Sequence, residues 1–243
     1  MAEPFLDFMG TAGDEEVLDV GCGTGNLAFA IAQRAKVKSI KGIDFSDAYV
    51  EDARSQNRNS AITFEVGDAT SLPYADSSFD RVLSMLVLFF IPSATKAVSE
   101  MKRVARSGST VGATLWDARG GMTINRMFVD TAAVLDERAN ELRARAFTRP
   151  LGHPGDLGNA WRDAGFQEIK EATLTIRMEF KNFEDYWRPY LGKQGPYADY
   201  VSKLNSEEQA TLKHHLRRAY LDGDPDGYRS YVAVADAVKG TKP

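Results

Sequence analysis

The sequence predicts an α/β fold: a mostly parallel sheet with helices on both faces and helical insertions in the second half. Three observations predict it. Strand-like and helix-like patterns alternate through residues 16–116. A glycine-rich turn separates the first strand from the first helix. Beyond residue 117 the alternation gives way to long helical patterns.

The elements follow in order. Residues 16–20, Glu-Val-Leu-Asp-Val, form a short apolar run stopped by glycine, the pattern of a buried strand. Residues 26–35 place Leu27, Ala30, Ile31 and Ala35 on one helical face. Further strands are expected at 39–43, 62–66, 79–86 and 110–116. A helix running to about residue 56 takes Ser46 or Asp47 as its cap. Another at 94–106 turns Ala97, Met101 and Val104 inward, with Gly108 just past its end. Such a rhythm implies parallel strands, and ligands of these sheets bind beyond the strands' carboxyl ends. In the second half, residues 122–146 read as one amphipathic helix carrying Ile124, Phe128, Leu135, Ala139 and Leu142 in register. Residues 154–164 form a helix ended by Gly165, and 168–180 a long strand. Helices are expected at 183–191 and 206–221, the latter with a capping box in Ser206-Glu207-Glu208-Gln209. Asp226-Gly227 precedes a last strand at 228–235.

Composition narrows the function. The formal net charge of −4 offers no general attraction to nucleic acid or to an anionic membrane. The longest apolar stretch, 82–91, is about half of the roughly 20 residues that span a bilayer. The first residues lack the basic start and apolar run of a signal peptide. With a single cysteine, Cys22, no internal disulfide forms, which fits a reducing cytoplasm. A cytoplasmic protein with a small-molecule substrate, and with no nucleic-acid partner or membrane insertion, is expected. The sequence leaves its oligomeric state open.

The chemistry concentrates in Gly21-Cys22-Gly23-Thr24-Gly25. Glycines at a strand-to-helix turn let the backbone bend sharply and let a ligand approach the main chain. A dinucleotide site needs G-x-G-x-x-G, and Asn26 stands where its third glycine belongs. Asp19, two residues upstream, would oppose a pyrophosphate but suits a cationic head group. Asp44 ends the second strand, where a carboxylate can accept both hydroxyls of a ribose. Asp68 follows the third strand and can accept from an exocyclic amine such as that of adenine. Three carboxylates and a glycine turn on one sheet edge suit a nucleoside with a cationic, amino-acid-like tail.

Together, these segments resemble the class I S-adenosylmethionine-dependent methyltransferases. Val17-Leu18-Asp19-Val20-Gly21-Cys22-Gly23-Thr24-Gly25 is similar to their first motif. Gly42-Ile43-Asp44-Phe45-Ser46 and Gly67-Asp68-Ala69-Thr70-Ser71-Leu72-Pro73-Tyr74 are similar to the second and third. Ser78-Phe79-Asp80-Arg81-Val82 and the 97–106 segment follow in order, and the set is closest to the ubiquinone and menaquinone biosynthesis methyltransferases. The likeness covers residues 16–117 well and the rest loosely. It implies a Rossmann-like sheet of seven strands, the last antiparallel, and S-adenosylmethionine as cofactor. It further implies that Gly21, Cys22, Gly23 and Gly25 line the methionine tail and that Asp44 holds the ribose. Phe45 would flank the adenine, Asp68 and the Ala69 amide would read its edge, and Met85 would offer main-chain contacts. The whole chain, 1–243, is then one methyltransferase domain. Its cofactor core is 14–117, and insertions at about 118–150 and 183–222 cover the substrate side. Only residues 1–16 precede the first strand, so the cover over the site is expected from those insertions.

The other reactive side chains divide. Cys22 reads as a small loop residue rather than a nucleophile, since nothing nearby lowers its pKa. His214 and His215 lie on a charged helix without partners at ligand spacing, and no metal site is expected. Residues 86–92 carry no histidine where relatives often place one, so no catalytic base is identified. His153 lies in a loop ahead of a helix and is a candidate for the substrate pocket. Trp187 and Tyr190 share a helical face with Phe183 and run into the glycine-rich 192–197 segment; they fit a pocket wall or a core. The expected reaction is methyl transfer to a small organic acceptor. A nicotinamide-dependent oxidoreductase, disfavoured by Asn26, and a non-catalytic S-adenosylmethionine binder are the alternatives.

Overall fold

A computed structural model describes residues 1–10, 13–192 and 195–243. Seven strands form one sheet in the order β3-β2-β1-β4-β5-β7-β6. They are β1 Glu16–Val20, β2 Ser39–Asp44, β3 Ile62–Val66, β4 Phe79–Met85, β5 Ala105–Trp116, β6 Gln167–Phe180 and β7 Arg229–Thr241. The first five pair in parallel, and β7 lies antiparallel on β5, from Thr110↔Thr241 to Trp116↔Ala235. This is the Rossmann-like sheet that the sequence implied.

The chain divides into two compact units: Met1–Trp116, Arg149–Leu174 and Ala235–Pro243 form the first, Asp117–Thr148 and Thr175–Val234 the second. The expected insertions 118–150 and 183–222 fall in the second unit except for residues 149 and 150.

In the first unit, alternate residues of β1 serve two cores, because successive strand side chains point to opposite faces. Leu18 and Val20 pack with Val82, Met101 and Trp161, under helices α4 (Ala94–Val104) and α7 (Asp156–Asp163). The Trp161 indole N–H donates to the Val111 carbonyl at 3.1 Å, so its one polar atom is satisfied at full burial. Val17 packs on the other face with Leu83, Ile40, Leu27 and Ile31, under α1 (Ala2–Met9), α2 (Asn26–Arg34) and α3 (Asp47–Gln56). The sequence reading did not anticipate α1; its Phe5, Leu6 and Met9 are buried.

The second unit has its own aromatic core. It holds α5 (Thr123–Leu135), α6 (Ala139–Thr148), α8 (Phe183–Trp187), a 3-10 turn Arg188–Leu191, α9 (Pro196–Ser202) and α10 (Ser206–Leu221). Phe128, Phe183, Tyr186, Trp187, Tyr190 and Tyr220 lie at its centre.

Several expectations are corrected. The single helix at 122–146 is two helices. Asp136 is extended (φ −149°, ψ 118°), and its carboxylate accepts from the Arg138 backbone and guanidinium, a local bond that competes with helix continuation. The 94–106 helix ends at Val104, since Ala105 already pairs with Phe79 in β5. Gly108 therefore lies inside an irregular strand segment rather than behind a helix. The cap of α10 is Asn205, one residue earlier than expected, in a reciprocal box with Glu208. The segment expected as one helix at 183–191 turns 3-10 after Trp187, α9 was not foreseen, and the last strand runs six residues past 235 to Thr241. Within the 192–197 segment, Lys193 and Gln194 lie outside the described residues.

Candidate cofactor site

Parallel register brings the ends of β1, β2, β3 and β4 to one edge of the first unit. The turn after β1 is bound to its neighbour: the Gly21 and Cys22 amides both donate to the Ile43 carbonyl, at 2.7 and 3.1 Å. Gly21, Gly23 and Gly25 all have positive φ, at 75°, 52° and 85°, and Gly25 opens α2 in the left-handed conformation. Their surroundings differ. A Cβ on Gly21 would meet Val87 Cγ1 at 2.3 Å, and one on Gly25 would meet Phe64 Cζ at 2.7 Å. A Cβ on Gly23 would meet nothing within 4 Å. Gly21 and Gly25 are thus glycines because protein crowds them. Gly23 is glycine because of its backbone conformation, and it faces open space.

Asp19 lies beneath this turn at 1% exposure, and neither carboxylate oxygen has a hydrogen-bond partner among the described residues. Burial first and the Asp44 charge second push its carboxyl up to about 7, against a smaller opposing pull from the Ala28 amide. A buried carboxylate without a partner is costly in a fold whose other buried polar groups are mostly paired. A protonated amine would supply the missing charge. The residues present therefore fit a cationic, amino-acid-like tail near Asp19, with open space beside Gly23.

Asp44 ends β2, half-buried. Its Oδ2 accepts from the Gly23 amide and its Oδ1 from the Ser46 amide, both at 2.9 Å. The sequence predicts a ribose acceptor here but carries no sign of this brace on the glycine turn. Each oxygen keeps a further lone pair for hydroxyl donors. Phe45, next in sequence, is 83% exposed, a large apolar ring left open to solvent. Asp68 accepts from the Thr70 amide (2.7 Å) and hydroxyl (2.9 Å), and these bonds hold its carboxyl below the usual range. The Ala69 side chain packs against the first core. Cys22 is buried, and burial followed by the Asp19 and Asp44 charges pushes its thiol far up, which removes it as a nucleophile.

Met85 ends β4, and Leu86 follows with φ 65°, its amide bonded to the Thr114 carbonyl at 2.7 Å. Positive φ in a bulky residue is strained, and such strain gathers at functional edges. No sequence signal marked Leu86. Beyond it, the Arg149 guanidinium stands over the Phe89 and Phe90 rings at 4.8 and 5.2 Å. That contact sets the 149–156 segment beside the turn that follows β4. His153 lies in that segment, with its backbone amide and Nδ1 both on Asp156 Oδ2, at 2.9 and 3.2 Å. Trp187 and Tyr190 belong to the second unit's core, buried to 2% and 6% exposure. Tyr190 stacks on Phe128 at 4.3 Å.

Comparison with known proteins places the chain among relatives. A methyltransferase domain model matches residues 18–112. The methyltransferase GfsG of Streptomyces halstedii is 34% identical over 201 residues, 80% of this chain and 70% of that one. The ajmaline N-methyltransferase of Rauvolfia serpentina is 38% identical over 99 residues, 39% of this chain; the match spans about a third of that relative's length, 34%. In structure, a Haemonchus contortus phosphoethanolamine N-methyltransferase 2 in complex with S-adenosyl-L-methionine aligns at a TM-score of 0.63 and 18% identity. That alignment covers 100% of this chain and 52% of that one.

Proposed function

The chain belongs to the S-adenosylmethionine-dependent methyltransferase family, and from that premise we propose that it transfers the cofactor's methyl group to a small organic acceptor. The observation that carries the proposal is Asp19, a buried carboxylate without a hydrogen-bond partner among the described residues, under a glycine turn whose central residue faces open space.

When bound, S-adenosylmethionine supplies a methyl group already activated by a sulfonium centre. The protein's work is then to bind, orient and exclude water. Asp19 holds the ammonium of the methionine tail, directly or through water, while Gly21, Cys22, Gly23 and Gly25 line that tail. Asp44 holds the ribose hydroxyls and also fixes the Gly23 amide, so one carboxylate couples the ribose site to the turn. Phe45 covers one face of the adenine, and Asp68 with the Ala69 amide reads its edge. Met85 offers main-chain contacts, and the Leu86 turn redirects the chain at the strand end. His153 is a member of the proposed substrate pocket. Asp156 holds Nδ1, which leaves Nε2 as the basic ring nitrogen in the matching tautomer. Trp187 and Tyr190 belong to the packed core of the second unit and take no part in this proposal.

A small acceptor agrees with the names of the relatives, one of which is an N-methyltransferase of ajmaline. Asn26, exposed at the start of α2 where a dinucleotide fingerprint has glycine, speaks against a nicotinamide cofactor. Calorimetry with S-adenosylhomocysteine and with NAD tests the cofactor. Binding of the first alone is expected, and binding of NAD alone replaces the proposal with an oxidoreductase. Transfer of a labelled methyl group to a panel of small hydroxyl and amine acceptors then separates an enzyme from a binder.

A further inference from the structure

The connection from β3 to β4 carries Asp68, which is exposed and whose hydrogen bonds come from the two residues of its own turn, Thr70 and Ser71. Thr70 and Ser71 donate to Asp68, and the Gly67 amide donates to the Asp44 carbonyl at 2.9 Å. What ties the connection to the rest of the unit lies four residues on. The Leu72 amide donates to Glu100 Oε2 at 2.8 Å, and its carbonyl accepts from Arg103 Nη2 at 3.0 Å. Arg103 Nη1 donates to the Tyr74 carbonyl at 2.7 Å and to Asp76 Oδ1 at 2.8 Å. Its Nε and Nη2 each bond Glu100 at 2.7 Å. The Arg103 and Val104 carbonyls accept from the Ser77 and Ser78 amides, at 3.0 and 2.7 Å.

Both Glu100 and Arg103 lie on α4, one turn apart, and neither is adjacent in sequence to any residue assigned to the cofactor. The guanidinium uses all three nitrogens in its planar fork, a geometry lysine does not reproduce. The pair is charged throughout the neutral range: the Arg103 partner holds the Glu100 carboxyl below its usual value, and the Glu100 and Asp76 carboxylates hold Arg103 above its own.

We propose that Glu100 and Arg103 are positioning residues that set the cofactor's base specificity, by fixing the Leu72–Asp76 backbone that anchors the downstream end of the Asp68–Ser71 turn, whose Asp68 carboxylate accepts from the adenine amine. This rests on the assignment of Asp68 above. Leu72 also plugs the core, and Tyr74 packs edge-on against Phe79 with centroids 5.0 Å apart. A purely structural pair would therefore stabilise the protein without touching specificity, and the test has to separate the two.

The probes are S-adenosylhomocysteine and S-inosylhomocysteine, in which a carbonyl oxygen replaces the adenine amine. Calorimetry on the full chain reads the ratio of their affinities. Wild type is expected to favour the adenosyl compound by roughly tenfold or more, since the oxygen would face a carboxylate. Asp68→Asn should erase the preference. Arg103→Ala and Arg103→Lys should bring the ratio to within about threefold of unity, while binding through the glycine turn and Asp44 persists. Glu100→Gln, which keeps the side chain's size, should give an intermediate ratio and serves if the arginine variants do not fold. Variants that bind both compounds more weakly with an unchanged ratio make the pair structural and overturn the proposal. A wild type that does not distinguish the compounds refutes the Asp68 assignment itself, and the proposal with it.

Discussion

The glycine turn of the first unit and the aromatic cluster of the second both drew notice in the sequence, yet they differ in how their polar atoms end. In the cluster, the hydroxyls have partners: Tyr186 donates to the Ile124 carbonyl at 3.3 Å, and Tyr220 to the Gly227 carbonyl at 3.0 Å. Rings there stack or meet edge-on at 4.3–6.4 Å. Beneath the turn, Asp19 has no hydrogen-bond partner for either oxygen among the described residues, and Gly23 faces empty space. A group of residues that satisfies itself is built for stability. One that leaves a buried charge unmet is built for something that comes from outside.

The largest effect should separate the two regions outright. Trp187→Ala leaves a cavity among Phe183, Tyr190 and their neighbours and should cost about 3–5 kcal/mol, read by denaturant unfolding. Affinity for S-adenosylhomocysteine in the folded variant should not change. A variant that keeps its stability but loses ligand would move Trp187 from core to pocket.

Next comes Gly23→Val, which should do the reverse. Its side chain enters open space, so the fold loses only the ~1–2 kcal/mol of an unfavourable left-handed φ. Ligand affinity should fall about 100-fold, ~2.7 kcal/mol. Gly21→Val is the control, because its Cβ collides with Val87 and should unfold the turn. If Gly23→Val binds as wild type does, the turn does not face the cofactor.

Asp44→Ala should weaken S-adenosylhomocysteine by ~1.5–2 kcal/mol, as for lost charge-assisted hydrogen bonds. Because Asp44 also braces the Gly23 and Ser46 amides, a modest drop in melting temperature should accompany it. Unchanged affinity in the folded variant removes Asp44 from the ribose site.

The smallest effect on affinity is pH dependence at Asp19. Its carboxyl titrates near 7 in the folded protein and near its ordinary 3.8 in the unfolded chain. Between those values the folded state holds the extra proton, so stability without ligand should decline as pH rises through the window and level off above about 7. Binding of an ammonium needs the ionised form, so affinity should move the opposite way, gaining about tenfold, ~1.4 kcal/mol, from about pH 6 to about pH 8. Asp19→Asn should flatten both profiles; profiles that persist in this variant belong to another group.

Strands β1 and β3 and the helix α10 stand where the sequence placed them, because buried apolar runs and amphipathic faces are local patterns. Failures came where a single local contact overrode the pattern. Asp136 broke a helix whose apolar register continued across it, and Asn205 took a cap that Ser206 also could have formed. The short amphipathic α1 carried too few turns for its periodicity to register. Among the candidate site residues, Asp19, Asp44, Asp68 and the glycines were legible because each lies near the end of a recognisable strand or just past it. Leu86 was not, since its strain comes from the meeting of β4 with Thr114, far away in sequence.

Residue order alone determined the sheet, the strand ends that carry carboxylates and the kind of ligand those carboxylates suit. All of these depend on side-chain type and short-range spacing. Tertiary structure decided the rest. It showed that Gly23 faces space while Gly21 and Gly25 face protein, that Asp19 is left without a partner, and that Arg103 reaches back 31 residues to hold Leu72. Those distinctions depend on which atoms meet across the fold, and no spacing along the chain records them.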